Sequence, residues 1–570
     1  MASTYDELDA RLRAAFDALA PGADPTLRPS EHADYQANGV MALARALERR
    51  PREVAEEVVA RLDLAGLAAV EVAGPGFLNL TLTPEYLSRR VLALLEDPRG
   101  GIERDAEPRR VVIDYSAPNV AKEMHVGHLR STVIGDALVR LHRLVGHEVI
   151  ARNHVGDWGT PFGMLIEHLL DLGEDRAIAE LSIGDLNAFY QGARTSFEAS
   201  EEFRERSRAR VVMLQRGDPE TRRLWRILVE QSVAYFSEVY AKLDVLLSPA
   251  DVWGESAYND DLEGVVADLA ELGLLVESDG AQCVFPPGFV GRDGEPLPLI
   301  VRKSDGGFGY AATDLAALRD RVVGLGADEI LYVVGAPQAQ HFAMIFAAGR
   351  EAGWLPERVR CEHVAFGNVL GPDRKMFKTR SGETVKLVAL IDEATERAEA
   401  GLIERGAQLT PDARRELASQ IARAAIKYAD LATERQRDYV FDLDRMLAFE
   451  GDTGPYLQYA HARLRSILRR AGEWTPPTQL ALAAPEERRL ALALLALPEV
   501  IASSLEGSAP HRLCAHLHEF AQRLSAFYEA CPVLSAEGAV RAERLTLCRL
   551  SASALETGLG ALGIDAPERL

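Results

Sequence analysis

Residues 116–132 read SAPNVAKEMHVGHLRST, and this stretch decides how the chain is expected to fold. The segment Val111–Tyr115 before it is apolar and β-branched and has the length of a buried strand. After it, apolar residues recur at steps of three and four between Leu129 and Leu144, and Gly146 can end the helix that this spacing predicts. The stretch therefore predicts a turn between a parallel strand and a helix, which is where open α/β sheets bind ligands.

Two histidines, His125 and His128, lie on either side of Gly127 at the start of this predicted helix. A helix start presents free N–H groups and a partial positive charge, which suit a phosphate chain. The same field disfavours imidazolium, so we expect both histidines to be neutral hydrogen-bond donors. Two histidines that only cap a helix would leave the same pattern, so the motif alone does not decide between a nucleotide site and a cap.

The composition is that of a soluble globular protein with two to four domains. The chain has 570 residues, of which 47% are hydrophobic, and it lacks an apolar run of roughly eighteen residues, so we expect no membrane span. Its first residues do not form a basic and apolar leader, so we expect a cytoplasmic protein. A net charge of −22 argues against indiscriminate nucleic-acid binding but is compatible with a local basic face.

The five cysteines are scattered and include no Cys-x-x-Cys pair. This arrangement is typical of reduced, mostly buried residues and predicts neither a disulfide framework nor a zinc site. We therefore expect no protein-bound metal. The cysteines are Cys283, Cys361, Cys514, Cys531 and Cys548.

Hydrophobic periodicity divides the chain into four predicted domains. Residues 1–105 predict a small α+β domain with a hairpin. Residues 106–385 alternate strands and helices, which predicts a parallel-sheet α/β domain, and the charged helical pattern at about 172–250 predicts an insertion into it. Residues 386–449 predict a helical linker or stem, and residues 450–570 predict an all-α domain.

Two further stretches carry concentrated positive charge. The loop 367–382 has four cationic side chains within seven residues and glycines at both ends, which suits either a mobile clamp on a polyanion or an ordinary exposed loop. The helix predicted at 457–470 carries four arginines with interleaved aromatic residues, which suits phosphates and unstacked bases or an ordinary bundle helix.

The histidine stretch and the lysine-rich loop resemble the two signatures of class I aminoacyl-tRNA synthetases. Residues 125–128 resemble their HIGH signature, and residues 375–379 resemble their KMSKS signature with Phe377 and Thr379 in place of serines. The motifs along the whole chain are similar, in order, to those of arginyl-tRNA synthetases. The stretches that carry this resemblance are 73–79, 116–132, 153–159, 254–256, 310–314, 338–341, 377–382 and 452–459.

The resemblance implies a Rossmann-like catalytic domain with a helical insertion, an N-terminal domain that binds the tRNA core and an all-α anticodon-binding domain. The implied enzyme forms arginyl-adenylate from L-arginine and ATP and transfers arginine to the 3′-terminal adenosine of tRNA(Arg), with release of pyrophosphate and AMP. The resemblance implies ATP with Mg²⁺ as a substrate, a need for tRNA before arginine is activated, and, we expect, a monomer.

The resemblance also implies roles for residues that contact ATP. The two histidines would donate hydrogen bonds to the triphosphate, and the glycine between them would let adenine approach the backbone. Lysines would neutralise the phosphates and the leaving pyrophosphate. The implied catalytic residues are His125, His128, Lys375 and Lys378, and the implied ATP-binding residues are Lys122, His125, Gly127, His128 and Lys378.

A guanidinium group pairs best with carboxylates, and the resemblance places such residues in an arginine pocket. Tyr310 and Asp314 are four residues apart in a predicted helix and therefore share a face, although spacing alone would also fit an acid on a surface helix. Glu255 would be a second acidic contact. Asn119 and Gln338 would contact the amino acid through their amides.

On the RNA side, the resemblance implies that Phe77 and Asn79 contact the tRNA core and that Tyr456 and Arg463 contact the anticodon. One alternative is a class I synthetase for another amino acid. A glutamate enzyme is disfavoured, because its pocket would need cationic residues where this chain has acidic ones. A catalytically silent, synthetase-like RNA-binding regulator is another alternative. A small adenylyltransferase would share the two histidines but not the C-terminal helices.

Overall fold

The computed structural model describes residues 3–30, 32–182, 186–291, 294–375, 377, 385–406 and 408–570. The chain forms two compact units. The first contains Met1–Arg104, Phe449–Gly560 and Asp565–Leu570, and the second contains Asp105–Ala448 and Ala561–Ile564.

The N-terminal part of the first unit is built around an antiparallel sheet with the strand order β1-β2-β4-β3. The predicted hairpin is confirmed as β3 and β4, and burial of Leu78, Leu80 and Leu82 explains the alternation along β4. Strands β1 and β2 were not predicted, because three residues are too few to show a period. The elements are α1 (Thr4–Asp17), β1 (Leu27–Pro29), β2 (Tyr35–Ala37), α2 (Val40–Ala46), α3 (Pro51–Arg61), β3 (Ala68–Ala73), β4 (Phe77–Leu82) and α4 (Pro84–Glu96).

The second unit contains the parallel sheet that the sequence predicts, with the order β11-β10-β5-β6 and every pair parallel. Its elements are β5 (Arg110–Asp114), α5 (Val126–Leu144), β6 (Glu148–Arg152), α6 (Pro161–Leu172), α7 (Glu174–Ser182), α8 (Leu186–Ala199), α9 (Glu201–Gln215), α10 (Pro219–Leu243), α11 (Leu262–Glu271), β7 (Val276–Ser278), β8 (Ala281–Val284), β9 (Leu299–Arg302), α12 (Tyr310–Arg319), β10 (Glu329–Tyr332), α13 (Ala339–Glu351), β11 (Arg360–His363), β12 (Val369–Leu370), α14 (Leu387–Glu404), α15 (Pro411–Leu431), β13 (Tyr439–Val440) and α16 (Leu443–Met446).

Strand β5 and helix α5 form the centre of this unit. The β5 residues Val111, Val112 and Ile113 are fully buried, as a parallel strand covered on both faces requires. Helix α5 packs closely on the residue after this strand, because a Cβ at Gly135 would lie 2.3 Å from the Tyr115 side chain. This close packing fixes the start of α5 over the carboxyl end of β5.

Charged helices occupy the region between α6 and α11, where the sequence predicts an insertion at about 172–250. They are α7 to α10, and α10 is 25 residues long. An antiparallel sheet of β7, β8 and β9 follows them and was not predicted, because its short strands are separated by polar loops.

The last part of the chain is helical, as predicted. Its helices in the first unit are α17 (Gly454–Ala471), α18 (Pro485–Glu506), α19 (His511–Ala530) and α20 (Gly538–Ala561). Helix α18 packs on α19, and Ser88 of α4 accepts a hydrogen bond of 2.8 Å from the backbone of Leu480. Among the residues that the structure describes, none of the helices is both long and apolar enough to cross a membrane.

Candidate active site

The two histidines form a reciprocal cap at the start of α5. The backbone N–H of Gly127 donates to Nδ1 of His125 at 3.0 Å, and the backbone N–H of His125 donates to Nδ1 of His128 at 3.1 Å. The two rings lie 4.0 Å apart between centroids. Since both Nδ1 atoms accept hydrogen bonds, the proton of each neutral imidazole is on Nε2, and both rings offer an N–H donor at a defined position.

Both histidines are held neutral. Burial lowers the pKa of His128 to about 3, and the neighbouring His125 adds to this effect. Burial also lowers the pKa of His125, with a smaller contribution from the charge of Lys122. Neutral histidines were expected from the field of the helix start, and burial is the largest cause that lowers both pKa values.

Gly127 is needed for the cap itself. A Cβ at this position would lie 2.7 Å from Cε1 and 2.8 Å from Nδ1 of His125, so a side chain would displace the ring. The glycine is exposed, so its outer face is open to a ligand.

The loop before the histidines is held by hydrogen bonds to several elements. Val120 donates its N–H to the carbonyl of Gly156 at 3.0 Å, and Ala121 donates its N–H to Oγ of Ser232 in α10 at 2.9 Å. Gly156 has no room for a side chain, because a Cβ would lie 2.4 Å from Oδ1 of Asn119. The exposed Asn119 is therefore fixed beside the chain that follows β6.

The segment after the lysine-rich loop returns to the histidines. Val126 donates its N–H to the carbonyl of Val385 at 3.1 Å, and Leu387 donates its N–H to the carbonyl of Met124 at 2.9 Å. Lys386 contacts Glu123 at 3.0 Å between Nζ and Oε1. Residues 385–387 are thus attached directly to the start of α5.

Of the two predicted lysines in this loop, the structure describes Lys375 only. Lys375 is exposed, and its N–H donates to Oδ1 of Asp373 at 3.1 Å. Phe377, which replaces a signature serine, stacks on Phe441 at 5.3 Å between centroids. Lys378 lies outside the described residues.

A group of acidic side chains includes Asp157, which follows the Gly156 that pairs with the loop before the histidines. Asp157, which follows β6, accepts hydrogen bonds from the backbone N–H of Ser256 at 2.8 Å and from its Oγ at 2.6 Å. Glu255 is half-buried, and its N–H donates to the carbonyl of Val155 at 3.1 Å. Gly254 allows this approach, because a Cβ there would lie 2.5 Å from the Asp157 carboxyl group.

The carboxylates of this group affect one another. Burial, Asp157 and Asp314 together raise the pKa of Glu255 to about 8, in that order of importance. Burial also raises the pKa of Asp157, although its hydrogen bonds from Ser256 oppose this. Three acidic groups therefore share a partly desolvated space, which is an environment that a cation would stabilise.

The remaining residues predicted for the arginine pocket lie in α12 and in the turn before α13. Asp314 is partly buried and accepts a hydrogen bond of 2.6 Å from Nε2 of His341, in α13. Tyr310, at the start of α12, is 75% exposed and lies one turn before Asp314. Gln338 is exposed in the turn between β10 and α13. Glu255 and Asp314, 59 residues apart in sequence, are therefore close enough for their charges to interact.

Comparison with protein families identifies each part of the chain. Residues 91–443 match the family model for the catalytic domain of class I (R) tRNA synthetases. Residues 6–82 match the arginyl-tRNA synthetase N-terminal domain, and residues 457–570 match the DALR anticodon-binding domain. The chain belongs to the arginyl-tRNA synthetase family.

Proteins named arginine–tRNA ligase are similar to this chain over their whole length. That of Thermobifida fusca is 52% identical over 98% of this chain and 97% of its own length. That of Frankia casuarinae is 48% identical over 100% and 99% of the two chains.

Solved arginyl-tRNA synthetases also share the fold. The structure from Plasmodium falciparum has a TM-score of 0.85 and 28% identity and covers 100% of both chains. The structure from Thermus thermophilus has a TM-score of 0.84 and 28% identity and covers 99% of this chain and 100% of its own.

In the first unit, this family member has an open cavity of about 700 Å³ beside β4. Phe77 and Asn79 both line it, and Oδ1 of Asn79 accepts a hydrogen bond of 2.8 Å from Nε2 of Gln36. Arg28 and Gln36 belong to the same cavity but were not singled out from the sequence, because they lie on the short strands β1 and β2.

Helix α17 presents its predicted residues beside α19. The exposed guanidinium of Arg463 lies 3.7 Å above the ring of Tyr528, and the hydroxyl of Tyr456 lies 3.3 Å from Oγ of Ser525. Arg465 differs, since its Nη2 pairs with Oε1 of Glu568 at 2.6 Å.

Sequence reasoning missed several residues that the site brings together. They are Glu123, Asp157, Asn187, Tyr190, His341 and Lys386. Glu123, Asp157 and His341 lie in stretches that carry the family resemblance but were given no role of their own. No motif marks the other three.

Proposed function

We propose that this chain is an arginine–tRNA ligase that joins L-arginine to the 3′-terminal adenosine of tRNA(Arg) in an ATP-dependent reaction. The observation that carries this proposal is the acidic group of Asp157, Glu255 and Asp314 beside a helix start with two neutral histidines. An acidic pocket suits a guanidinium, and a helix start suits phosphates. The names of the similar proteins support the same activity.

Arginine binds with its guanidinium at the carboxylates of Glu255 and Asp314. A planar cation with five donors pairs with two carboxylates better than lysine's single ammonium does. The exposed ring of Tyr310 covers the side chain, and the amides of Asn119 and Gln338 hold the amino and carboxylate groups. A neutral analogue such as citrulline would leave the carboxylates without a cation and is therefore rejected.

In the first step, the arginine carboxylate attacks the α-phosphorus of ATP. A new bond forms between them, the bond from the α-phosphorus to its bridging oxygen breaks, and pyrophosphate leaves with the electron pair. ATP enters as its Mg²⁺ complex, a substrate. The Nε2–H groups of His125 and His128 donate to phosphate oxygens, while Lys122, Lys375 and Lys378 neutralise the triphosphate and the leaving group.

In the second step, the 2′-hydroxyl of the terminal tRNA ribose attacks the carbonyl carbon of arginyl-adenylate. The ester forms, the bond from the carbonyl carbon to the phosphate oxygen breaks, and AMP leaves with the electron pair while the hydroxyl proton is released. Phe77 and Asn79 contact the tRNA core, and Tyr456 and Arg463 contact the anticodon. Residues 1–105 thus bind the tRNA core, residues 106–385 catalyse, residues 386–449 form a stem, and residues 450–570 bind the anticodon.

The test is tRNA charging with each amino acid in turn. The expected result is arginyl-tRNA alone, and arginine-dependent exchange of pyrophosphate into ATP only when tRNA is present. Charging with a different amino acid would support another class I specificity, and no charging at all would support an RNA-binding regulator. Full exchange without tRNA would contradict the proposed tRNA requirement but not the ligase activity.

We also propose that the enzyme is a monomer in the cytoplasm. Light scattering after size-exclusion chromatography would give a mass near that of one 62.3 kDa chain. A mass of two chains at micromolar concentration would contradict the monomer. Fractionation of the source cells would test the compartment, and recovery with the membrane fraction would contradict it.

A further inference from the structure

Helix α8 of the insertion contacts the loop before the histidines. Two of its residues, Asn187 and Tyr190, are three positions apart and therefore share a face. Their neighbour Phe189 is buried and packs edge-on against His168 of α6, with the ring centroids 5.0 Å apart. One face of helix α8 is thus anchored on α6, and another face contacts the loop before the histidines.

Asn187 fixes the backbone of this loop. Its Nδ2 donates to Oε2 of Glu123 at 3.0 Å, and its Oδ1 accepts from the Glu123 N–H at 3.3 Å. Glu123 is only 3% exposed, and its other carboxylate oxygen contacts Lys386 at 3.0 Å. The residue next to Lys122 is therefore held from two sides.

Tyr190 acts on Lys122 itself. The ammonium Nζ of Lys122 lies 4.6 Å from the centroid of the Tyr190 ring, within the range of a cation–π interaction. The charge of Lys122 also reaches both histidines, since it lowers the pKa of His125 and of His128. The ring thus contacts the ammonium at a place from which its charge reaches both histidines.

We propose that Tyr190 and Asn187 make helix α8 a positioning element for ATP, because they hold Lys122 in reach of the triphosphate before ATP arrives. A free lysine side chain has several rotatable bonds, and ordering it on binding costs free energy. A preformed ring contact removes most of that cost from ATP binding. This inference rests on the proposed function and on the phosphate contact of Lys122.

The experiment compares Tyr190→Leu with Tyr190→Phe. Leucine removes the ring and keeps apolar bulk, whereas phenylalanine keeps the ring and loses only the hydroxyl. With tRNA present, Tyr190→Leu should lower kcat/KM for ATP by about 3- to 30-fold, which corresponds to a cation–π interaction, while KM for arginine stays within about twofold. Tyr190→Phe should retain most of the wild-type kcat/KM for ATP.

A double-mutant cycle separates positioning from general damage. In a Lys122→Met background, Tyr190→Leu should cause little further loss of kcat/KM for ATP, because the side chain that it positions is absent. Equal losses from Tyr190→Leu in both backgrounds, or a loss in Tyr190→Phe as large as in Tyr190→Leu, would overturn the inference.

Failure of the inference is distinct from failure of the proposed function. If Lys122→Met lowers kcat/KM for ATP and Tyr190→Leu does not, only the inference is wrong. If Lys122→Met leaves kcat/KM for ATP unchanged, the phosphate role of Lys122 is wrong and the inference falls with it. If wild-type protein charges no tRNA with arginine, the proposed function itself is wrong. Thermal unfolding of each variant checks that the loss does not come from unfolding.

Discussion

Nε2 of His341 lies 2.6 Å from Oδ2 of Asp314, so a residue of α13 already engages one oxygen of a carboxylate that we propose to bind arginine. A hydrogen bond to a carboxylate fixes the rotation of that group about its side chain. The two residues are 27 positions apart and lie on different helices. The orientation of Asp314 therefore depends on tertiary packing and not on α12 alone.

The first prediction concerns this hydrogen bond. His341→Ala should raise KM for arginine about 10- to 100-fold, the range expected for a lost hydrogen bond to a charged group, with little change in KM for ATP. His341→Gln keeps an N–H donor and should restore part of the loss. Steady-state charging kinetics give both constants, and a parallel rise of the two KM values would contradict a role limited to Asp314.

The second prediction concerns protons. The pKa of Glu255 is about 8 in the free enzyme, so this carboxyl is mostly protonated at pH 7. A bound guanidinium favours the ionised form and lowers that pKa, so arginine binding should release a proton. Below pH 8, kcat/KM for arginine should rise with pH by up to about tenfold per unit and then level off.

Calorimetry in two buffers with different ionisation enthalpies measures the proton release directly. Near pH 7 the observed binding enthalpy should differ between the buffers by the number of protons released multiplied by the difference between the two ionisation enthalpies. Glu255→Gln cannot titrate and should remove this difference. Equal enthalpies in both buffers for the wild-type enzyme would contradict the prediction.

The third prediction uses two glycines of the second unit. Gly254→Ala places a Cβ 2.5 Å from the Asp157 carboxyl group, so Asp157 or the segment before Glu255 must shift. We expect at least a tenfold lower kcat/KM for arginine, since a shift of about 1 Å can cost 10²-fold. Gly264→Ala in helix α11 is the matched control, because the nearest atom to its Cβ would be Nη2 of Arg319 at 3.8 Å, an ordinary contact distance. Similar kinetics for the two variants would contradict the prediction.

Much of this arrangement could be predicted from the sequence, because local signals mark it. The strand–turn–helix around His125 follows from hydrophobic period and from Gly146, and the structure confirms it as β5 and α5. Glu255 and Asp314 were found only through resemblance, since nothing in their spacing shows that their charges interact.

Other features leave no local signal at all. Nothing in the sequence of α8 marks Tyr190, and only the structure shows that its ring contacts the Lys122 ammonium. Strands β1 and β2 are too short to show alternation, so the cavity residue Gln36 could not be singled out. Such contacts depend on how elements far apart in the sequence pack together, and hydrophobic periodicity and local motifs do not indicate that packing.

The fourth prediction concerns the charge state of the histidines. Burial lowers the pKa of His128 to about 3, so this ring should not gain a proton between pH 6 and 8, and burial lowers the pKa of His125 in the same direction. At saturating arginine and ATP, the rate of adenylate formation should therefore show no acid limb with a pKa near 6.5. Such a limb, retained in Glu255→Gln and lost in His128→Gln, would contradict the assignment of a neutral donor.

The last prediction concerns the RNA side of the first unit. The exposed guanidinium of Arg463 lies on Tyr528, where it can contact a base or a phosphate, whereas Arg465 already pairs with Glu568. Arg463→Ala should weaken tRNA binding about tenfold and reduce the salt dependence by about one unit of slope. Arg465→Ala is the matched control and should change both quantities less, because its charge is already neutralised. Filter binding of tRNA across a salt series measures affinity and slope together. Unchanged affinity and slope in both Arg463→Ala and Tyr456→Ala would contradict the anticodon assignment of α17.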